Sequence, residues 1–496
     1  MKLHELASIL RMSWIQGDRD IEITGIQFDS RRVKAGDLFI CVPGLLSDGH
    51  DYAHQAVQLG AVALVTQRIL DIPVGQLIVK DARYAMAMIA TYFYDHPSLK
   101  MKVIGVTGTN GKTTTTYLIE HILRESSFRT GLMGTIQMKI GSTTQDMSRT
   151  TLESIDLHYY FQQMVEQHTD YCIMEVSSHA LDLGRVKGVR FRSSVFTNLT
   201  QDHLDYHLTM ENYKAAKGLL FSRLDNGFIG DPDERQYAIL NKDDPASADY
   251  AHMTAAQVVT YGVHPDCDVR AEDIHVTAKG TQFQLHTFAG STQIQMKLVG
   301  KFNVYNALGA IAATLIEGIS LQHIKQSLEQ VLPVRGRMEM VSEPHHPFLV
   351  LVDYAHTPDG LDNALSTLCE FAEADVITVF GCGGDRDKLK RPLMAKIVAS
   401  YSQYVIVTSD NPRTEQPLQI IDDIVAGFQE IDFPQSHYEL MEDRQQAIHK
   451  AIGIAKAGDI VFIAGKGHET YQEIMGVQFD FDDRLMAQDA LRSKRL

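Results

Sequence analysis

The residues with the clearest chemistry run from Val106 to Thr113, in the stretch VTGTNGKT. The apolar pair Val103–Ile104 precedes this run, and a helical pattern of apolar residues begins at Leu118. A strand, a glycine-rich turn, a Lys-Thr pair and a helix together form a cradle for phosphate, because backbone N–H groups and the helix N-terminus face the anion. The lysine reaches the outer phosphates, and the threonine hydroxyl holds Mg²⁺. The run therefore predicts a protein that binds ATP or GTP.

The match to the usual phosphate-loop pattern is imperfect. That pattern places a glycine five residues before Gly111, where this chain has Val106, with Gly105 and Gly108 nearby. The alternative is a glycine-rich turn whose lysine faces solvent. The strand before the run and the helix after it favour the phosphate loop.

Two further stretches could bind a metal ion. Glu175 follows an apolar strand, and an acidic residue one strand away from a phosphate loop is a natural Mg²⁺ ligand, although Ser and Glu near residues 177–179 could also cap a helix. Residues 202–207 hold two acids and two histidines. Zinc binding by two histidines lacks a third ligand pattern, so His207 is interpreted as part of a polar loop. His203 is interpreted as a ligand of a second Mg²⁺, because a neutral imidazole can join carboxylates there.

Arginines follow predicted strands in the C-terminal part. Arg386 and Arg413 come after glycine or proline turns, and a guanidinium binds a carboxylate through two parallel hydrogen bonds. With Asp410 and Glu469 available for an ammonium, these arginines suit a ligand that carries both a carboxylate and an amine. The alternative is that each arginine pairs with neighbouring acids at the surface, which is the commoner outcome for a single arginine.

The elements that must position these residues follow a repeated order of apolar strand, polar loop and helix from residue 101 onward. This order predicts an α/β protein with parallel, doubly wound sheets, which bind ligands at the carboxyl ends of their strands. Residues 266–299 alternate as antiparallel strands do, which predicts a small appended sheet. The predicted strands of the C-terminal part are Leu349–Val352, Val376–Phe380, Tyr404–Val407 and Ile460–Ile463.

Two linker-like segments, Asp95–Ser98 and Leu332–Arg337, divide the 496 residues into three predicted domains. These are a smaller N-terminal α/β domain over residues 1–98, a central P-loop-type parallel-sheet domain over 99–332, and a C-terminal Rossmann-like domain over 333–496.

Composition limits the partners and the compartment. The net charge of −16 argues against nucleic acid, and the chain has no run of about 20 apolar residues that would span a membrane. The N-terminus has no secretory signal, and the five cysteines are scattered without a Cys-x-x-Cys pair. We therefore expect a cytoplasmic protein with reduced thiols, and we expect a monomer.

Several motifs in sequence order resemble the Mur ligases, the ATP-dependent amide-forming enzymes of peptidoglycan precursor synthesis. These motifs are the phosphate loop, Glu175–His179, Asn198–His207 and Asp353–Pro358. Residues 410–413 (Asp-Asn-Pro-Arg) resemble the signature of members that add meso-diaminopimelate to the D-glutamyl γ-carboxylate of UDP-N-acetylmuramoyl-L-alanyl-D-glutamate through an acyl phosphate. The alternatives are the same ligase adding L-lysine, a P-loop ATP hydrolase, and a nucleotide-binding module without catalysis.

The resemblance implies roles in catalysis and ATP binding. Lys217 has no sequence signal of its own, but it falls where the family carries a carbamylated lysine that binds Mg²⁺. The implied catalytic residues are Lys112, Glu175, His203 and Lys217, and the implied Mg²⁺ ligands (two ions are expected) are Thr113, Glu175, His203 and the Lys217 carbamate. The implied ATP-binding residues are Gly108, Thr109, Asn110, Gly111, Lys112, Thr113, Thr114, Asn303, Asn306, Arg337, Asp353 and His356.

The resemblance also implies the residues that bind the other two substrates. Some members have a glutamine where this chain has Leu183, so the side chain that would make one polar contact to the UDP substrate differs here. The implied UDP-substrate residues are Ser30, Thr150, Thr151, Ser177 and Arg185. The implied amino-acid residues are Arg386, Asp410, Asn411, Pro412, Arg413, Gly465 and Glu469.

Overall fold

The computed structural model describes residues 1–44, 47–147, 149–226, 231, 234–343 and 345–494. Three α/β regions follow one another along the chain, and each is built around one main sheet. The predicted fold class is therefore confirmed. No helix within the described ranges is long and apolar enough to cross a membrane.

The N-terminal region has a five-stranded sheet in the order β1-β5-β4-β3-β2, in which β1 alone runs antiparallel. Its strands β3 to β5 are buried throughout, as expected for parallel strands covered by helices. The strands are β1 (Ser13–Gln16), β2 (Gly25–Gln27), β3 (Asp37–Ile40), β4 (Ala63–Thr66) and β5 (Gly75–Val79), and the helices are α1 (Leu3–Ser8), α2 (Ala53–Gln58) and α3 (Ala82–Phe93).

The central region is built on an eleven-stranded sheet. Its strands are β6 (Lys102–Thr107), β7 (Thr130–Met133), β8 (Gln137–Ile140), β9 (Thr143–Asp146), β10 (Tyr171–Glu175), β11 (Ser193–Phe196), β12 (Tyr237–Asn241), β13 (Gln257–Gly262), β14 (Val269–Thr277), β15 (Gly280–Thr287) and β16 (Gly290–Met296). Its helices are α4 (Lys112–Glu125), α5 (Ser154–Glu166), α6 (Ser178–Asp182), α7 (Leu204–His207), α8 (Met210–Ser222), α9 (Ala246–Met253), α10 (Lys301–Leu315) and α11 (Leu321–Gln330).

Strand β6 lies in the middle of this sheet, between β10 and β11, and is parallel to both. Its apolar residues Val103, Ile104 and Val106 are fully buried, because helices cover both faces. The carboxyl ends of β6, β10 and β11 therefore lie side by side, and each ends in a polar loop.

Residues 266–299 correct one expectation. Strands β14, β15 and β16 are antiparallel to one another, as predicted. However, they do not form a separate sheet, because β14 pairs with β13 through Tyr261 and Gly262 and so continues the central sheet at its edge.

The C-terminal region has a six-stranded sheet in the order β17-β18-β22-β19-β20-β21, in which β17 alone is antiparallel. A hairpin of β23 and β24 stands apart from it. The strands are β17 (Glu339–Met340), β18 (Leu349–Asp353), β19 (Val376–Phe380), β20 (Tyr404–Thr408), β21 (Tyr438–Met441), β22 (Ile460–Ala464), β23 (Tyr471–Ile474) and β24 (Val477–Asp480). The helices are α12 (Pro358–Cys369), α13 (Lys390–Tyr401), α14 (Pro417–Gln429), α15 (Arg444–Ile454) and α16 (Asp483–Ser493).

Candidate active site

The phosphate loop joins β6 to α4, and two of its glycines cannot be replaced without a clash. Gly108 has φ 151°, and a Cβ there would lie 1.8 Å from Thr197 Oγ1. Gly111 has φ 84°, and a Cβ there would lie 2.2 Å from Asn306 Oδ1. The loop therefore requires glycine at both positions, and its fourteen-residue helix points its N-terminus at the space above the loop.

Lys112 is the first residue of α4, and its side chain folds back over the loop. Its ammonium donates hydrogen bonds to the carbonyl oxygens of Gly108 (3.0 Å) and Thr109 (2.8 Å). Burial lowers the pKa of Lys112, and the nearby Glu175 partly offsets this shift. Two backbone carbonyls of the loop thus hold the lysine in place.

Glu175, at the end of β10, faces the phosphate loop across the sheet. Its Oε1 accepts hydrogen bonds from the Thr113 hydroxyl (2.9 Å) and from the Thr135 backbone N–H (2.8 Å), and its Oε2 accepts one from the Thr135 hydroxyl (3.0 Å). Arg337 Nη2 lies 3.1 Å from the Thr113 oxygen, to which it donates. A hydroxyl and a carboxylate that touch beside a phosphate loop form the oxygen donor pair that Mg²⁺ prefers, so these residues fit such an ion.

Lys217 projects from α8 to the same place. The side chain is buried, and its ammonium donates a 2.7 Å hydrogen bond to the Gly108 carbonyl and lies 4.3 Å from the centre of the Tyr213 ring. Within the described ranges, no carboxylate lies within 4.0 Å of this ammonium. Burial, followed by the positive charge of Lys112, lowers the pKa of Lys217 well below its usual value. A lysine that is easily uncharged reacts readily with CO₂.

His203 lies at the other side of the cleft. Its Nε2 is 3.3 Å from Asp202 Oδ2, and its ring packs edge-on against His179 at 4.9 Å between ring centres. Burial lowers the pKa of His203 to about 3, so the imidazole is neutral. In the described part of the chain, no three His, Cys, Asp or Glu side chains are arranged as a ready-made metal site.

The linker and the C-terminal region close the nucleotide cleft. The Arg337 guanidinium stacks on the Tyr354 ring at 4.6 Å, and Asp353 Oδ2 accepts a 2.6 Å hydrogen bond from the Met338 N–H. Burial raises the pKa of Asp353 and lowers that of His356 to about 4. The cleft has a volume of about 660 Å³, and its lining includes Thr109, Asn110, Thr114, Asn306, Arg337 and His356.

Two asparagines of α10 support the loop from below. Asn306 Nδ2 donates to Asn303 Oδ1 at 3.0 Å, and Asn303 Nδ2 donates to the Val299 carbonyl at 2.9 Å. This chain places Asn306 directly behind Gly111, so α10 fixes the position of the phosphate loop.

Four of the five residues predicted to bind the UDP substrate come together beside Glu175. Thr151 is the centre of this group: its hydroxyl donates to the Glu175 carbonyl (2.9 Å) and accepts from the Ser177 N–H (3.1 Å), and its own carbonyl accepts from Arg185 (3.1 Å). Thr150 lies 3.1 Å from the Thr135 hydroxyl. The fifth residue, Ser30, lies in the N-terminal region and donates to Gln55 Oε1 at 3.0 Å, and no contact between described residues joins it to the other four.

The residues predicted to bind the amino acid lie at the carboxyl ends of β19, β20 and β22. Asn411 Nδ2 donates to Glu469 Oε2 at 2.8 Å, and the Gly465 conformation (φ 119°) brings its backbone so close to Asp410 that a Cβ would lie 2.4 Å from Oδ2. Arg413 Nη1 donates to the Gly384 carbonyl at 2.7 Å. Pro412 lies in the same loop as Asn411 and Arg413. Arg386 lies in the neighbouring loop, after β19, and its side chain is exposed.

Sequence reasoning missed Lys466, which lies at the centre of this group. Its buried ammonium donates to Asn411 Oδ1 (2.9 Å) and Glu469 Oε2 (3.2 Å) and lies 3.9 Å from Asp410 Oδ1. The two carboxylates assigned to a ligand ammonium therefore already share an internal cation. The Gly465–Gly467 turn after a buried strand was the signal that could have drawn attention to this lysine.

Comparison with known proteins identifies the class. The Mur ligase family, catalytic domain matches residues 22–94, the Mur ligase middle domain matches residues 106–314, and the Mur ligase, glutamate ligase domain matches residues 336–467. The chain belongs to the Mur ligase family, and the prediction of an ATP-dependent ligase of this family is confirmed.

Two curated relatives and one solved structure are similar to this chain over nearly its full length. The chain is 50% identical over 479 residues (97% of this chain and 96% of the relative) to the UDP-N-acetylmuramoyl-L-alanyl-D-glutamate--2,6-diaminopimelate ligase of Halalkalibacterium halodurans. It is 50% identical over 497 residues, covering both chains completely, to the protein of the same name from Geobacillus thermodenitrificans. A solved structure of a ligase with this name is 32% identical, with a TM-score of 0.69 over 99% of each chain.

Proposed function

We propose that this chain uses ATP to join meso-2,6-diaminopimelate to the D-glutamyl γ-carboxylate of UDP-N-acetylmuramoyl-L-alanyl-D-glutamate, releasing ADP and phosphate. The main support is the arrangement of a phosphate loop, a polar group around Thr151 and an arginine-containing pocket at the carboxyl ends of their strands. The full-length relatives with this name support the choice of substrates.

The first step activates the carboxylate. A γ-carboxylate oxygen attacks the γ-phosphorus of ATP, the bond to the β-phosphate oxygen breaks, and an acyl phosphate and ADP form. Lys112, the N-terminus of α4 and Arg337 offset the negative charges that approach one another. The Thr151 group, with Ser177 and Arg185, holds the dipeptide end of the UDP substrate beside Glu175.

Magnesium is the metal that the donors favour. Thr113 and Glu175 would hold one ion, and His203 with the carbamate of Lys217 would contribute to a second. When bound, Mg²⁺ neutralises phosphate charge during transfer. The buried Lys217 amine, which has no carboxylate partner among the described residues, supports the carbamate, because this modification replaces a buried cation with an anion.

The second step forms the amide bond. The neutral amine of the amino acid attacks the acyl carbon, the tetrahedral intermediate expels phosphate, and the nitrogen loses a proton. Arg386 and Arg413 bind the carboxylates of the amino acid, and the carboxylates of Asp410 and Glu469 attract its remaining ammonium. At its distal end diaminopimelate carries an ammonium and a carboxylate, whereas lysine carries an ammonium alone. The positive charge of Arg413 attracts the distal carboxylate of diaminopimelate and repels the ammonium of lysine.

The deciding experiment measures ADP release from purified protein supplied with ATP, Mg²⁺ and the UDP-dipeptide, with meso-diaminopimelate or L-lysine added. We expect rapid release with meso-diaminopimelate, little with lysine, and little when either the dipeptide or the amino acid is omitted. Faster release with lysine would identify a lysine-adding ligase. Equal release without any acceptor would identify an ATP hydrolase, and binding of ATP without turnover would indicate a nucleotide-binding module.

A further inference from the structure

The β23–β24 hairpin holds the backbone of Arg413. The Arg413 N–H donates to the Glu473 carbonyl at 3.0 Å, and the Met475 N–H donates to the Arg413 carbonyl at 2.6 Å. Arg413 has φ 53°, a left-handed conformation that is uncommon for a side chain other than glycine. The hairpin stabilises this conformation and so fixes the direction in which the Arg413 side chain leaves the loop.

The same hairpin supplies a carboxylate to the Arg413 guanidinium. Glu473 Oε2 lies 3.5 Å from Arg413 Nε, and the side chains are 29% and 21% exposed, respectively. Within the described ranges the guanidinium also donates from Nη1 to the Gly384 carbonyl, and these two contacts leave several of its five N–H groups free for a ligand. A ligand carboxylate can therefore reach Arg413, but it meets Glu473 there.

The pocket presents equal numbers of cationic and acidic side chains, and the buried Arg444 beside Asp410 is paired with Asp483. Three cationic side chains face three acidic ones, and each cation except Arg386 lies within 4.0 Å of a carboxylate in the described part of the chain. Diaminopimelate with a neutral attacking amine has two carboxylates and one ammonium, whereas lysine in the same state has one of each. The pocket residues are Arg386, Arg413, Lys466, Asp410, Glu469 and Glu473.

We infer that Glu473 is a specificity-determining residue that acts as an internal counter-ion of Arg413, which the distal carboxylate of the amino acid must displace. This inference rests on the proposed function. It has an unusual consequence: Glu473 weakens the binding of the preferred, more negative amino acid and reduces the repulsion between Arg413 and the ammonium of lysine.

The test is the Glu473→Gln variant, which has the same side-chain length and keeps the backbone bonds of the hairpin. The variant lacks the negative charge of Glu473, which makes the net charge of the pocket more positive by one unit. We therefore expect the KM for meso-diaminopimelate to fall about two- to fivefold, the range of a partly exposed ion pair. We expect kcat/KM for lysine to fall by a similar factor. KM for ATP serves as the internal reference.

A matched control is Glu430→Gln, which breaks the ion pair between Glu430 and Lys396. Glu430 lies at the C-terminal end of α14, a thirteen-residue helix that leads away from the loop of Arg413. This control should change neither amino-acid constant. A rise or no change in KM for meso-diaminopimelate in Glu473→Gln would overturn the inference, and so would a shift of both amino acids in the same direction, because that result indicates lost positioning of Arg413. If the unmodified protein does not consume meso-diaminopimelate, the proposed function itself is wrong.

Discussion

Asn110 of the phosphate loop is joined to Asp359 of the C-terminal region by a 2.6 Å hydrogen bond, from Asn110 Nδ2 to Asp359 Oδ2. Asp359 lies in the first turn of α12, and burial raises its pKa. The bond connects the phosphate loop to the C-terminal region, which carries the proposed amino-acid pocket. The two parts of the site are therefore in direct contact in the structure.

Replacing Asp359 with Ala tests this contact. We expect the KM for ATP to rise roughly ten- to a hundredfold, because a hydrogen bond to a carboxylate contributes about 1.5–3 kcal/mol. Steady-state rates of ADP release at varied ATP concentration measure this KM. Asp362→Ala on the same helix is the control, since Asp362 is exposed and bonds to Tyr401 instead. An unchanged KM for ATP would show that the contact has no part in nucleotide binding.

Lys217→Ala tests the carbamate. We expect ADP release to fall at least about a hundredfold, and we expect added formate or acetate to restore part of it by placing a carboxylate in the vacated space. Lys214→Ala is the control, because Lys214 lies on the same helix but is paired with Asp249 at the surface. Full activity of the Lys217 variant without any added carboxylate would contradict the assigned role.

Arg413→Ala tests the amino-acid pocket. We expect the KM for meso-diaminopimelate to rise roughly ten- to a hundredfold, the value of a charged hydrogen bond, with little change in the KM for ATP. Arg492→Ala, on the exposed side of α16, should behave as the unmodified protein. Equal changes in both constants would argue that Arg413 acts on the whole fold rather than on this substrate.

Glu415→Gln tests a pH-dependent ion pair of the C-terminal region. Glu415 accepts hydrogen bonds from the buried Arg391 at 2.8 and 3.0 Å, and Arg391 lowers the pKa of this carboxyl to about 2. A carboxyl whose pKa is lower in the folded state stabilises that state at pH values above its unfolded pKa of about 4.5. This contribution is lost as the pH falls from about 4.5 towards 2. We expect the variant to have a lower Tm at pH 7 and a difference that shrinks below pH 4.5.

Thermal unfolding followed by circular dichroism at a series of pH values measures this Tm difference. The control is Glu430→Gln, which removes a carboxylate at the surface. A Tm difference that stays constant down to the lowest pH at which both proteins fold would exclude the ion pair as its source.

Local patterns predicted the parts of the fold that depend on neighbouring residues. The apolar run Val376–Phe380 forms β19 with the predicted bounds, and the Gly-Lys-Thr run opens α4 as expected. The continuation of β14 onto β13 was not predicted, because the pairing of two edge strands leaves little trace in the alternation of either one.

The site residues that physical reasoning alone missed depend on contacts between distant segments. Lys217 meets Gly108 across 109 positions of the chain, and Lys466 meets Asn411 across 55. Lys217 stands in no pattern that distinguishes it from a surface lysine, and Lys466 is marked only by the flanking glycines Gly465 and Gly467 after a buried strand. Only the resemblance to a family marked Lys217, and Lys466 was not predicted.

The β23–β24 hairpin is short, its second strand is exposed along its whole length, and it pairs with none of the three main sheets. A segment attached in this way can be exchanged between related enzymes without repacking a hydrophobic core. Exchanging residues 471–480 with the hairpin of a related enzyme would therefore replace the counter-ion of Arg413, while the phosphate loop and its neighbours keep their sequence.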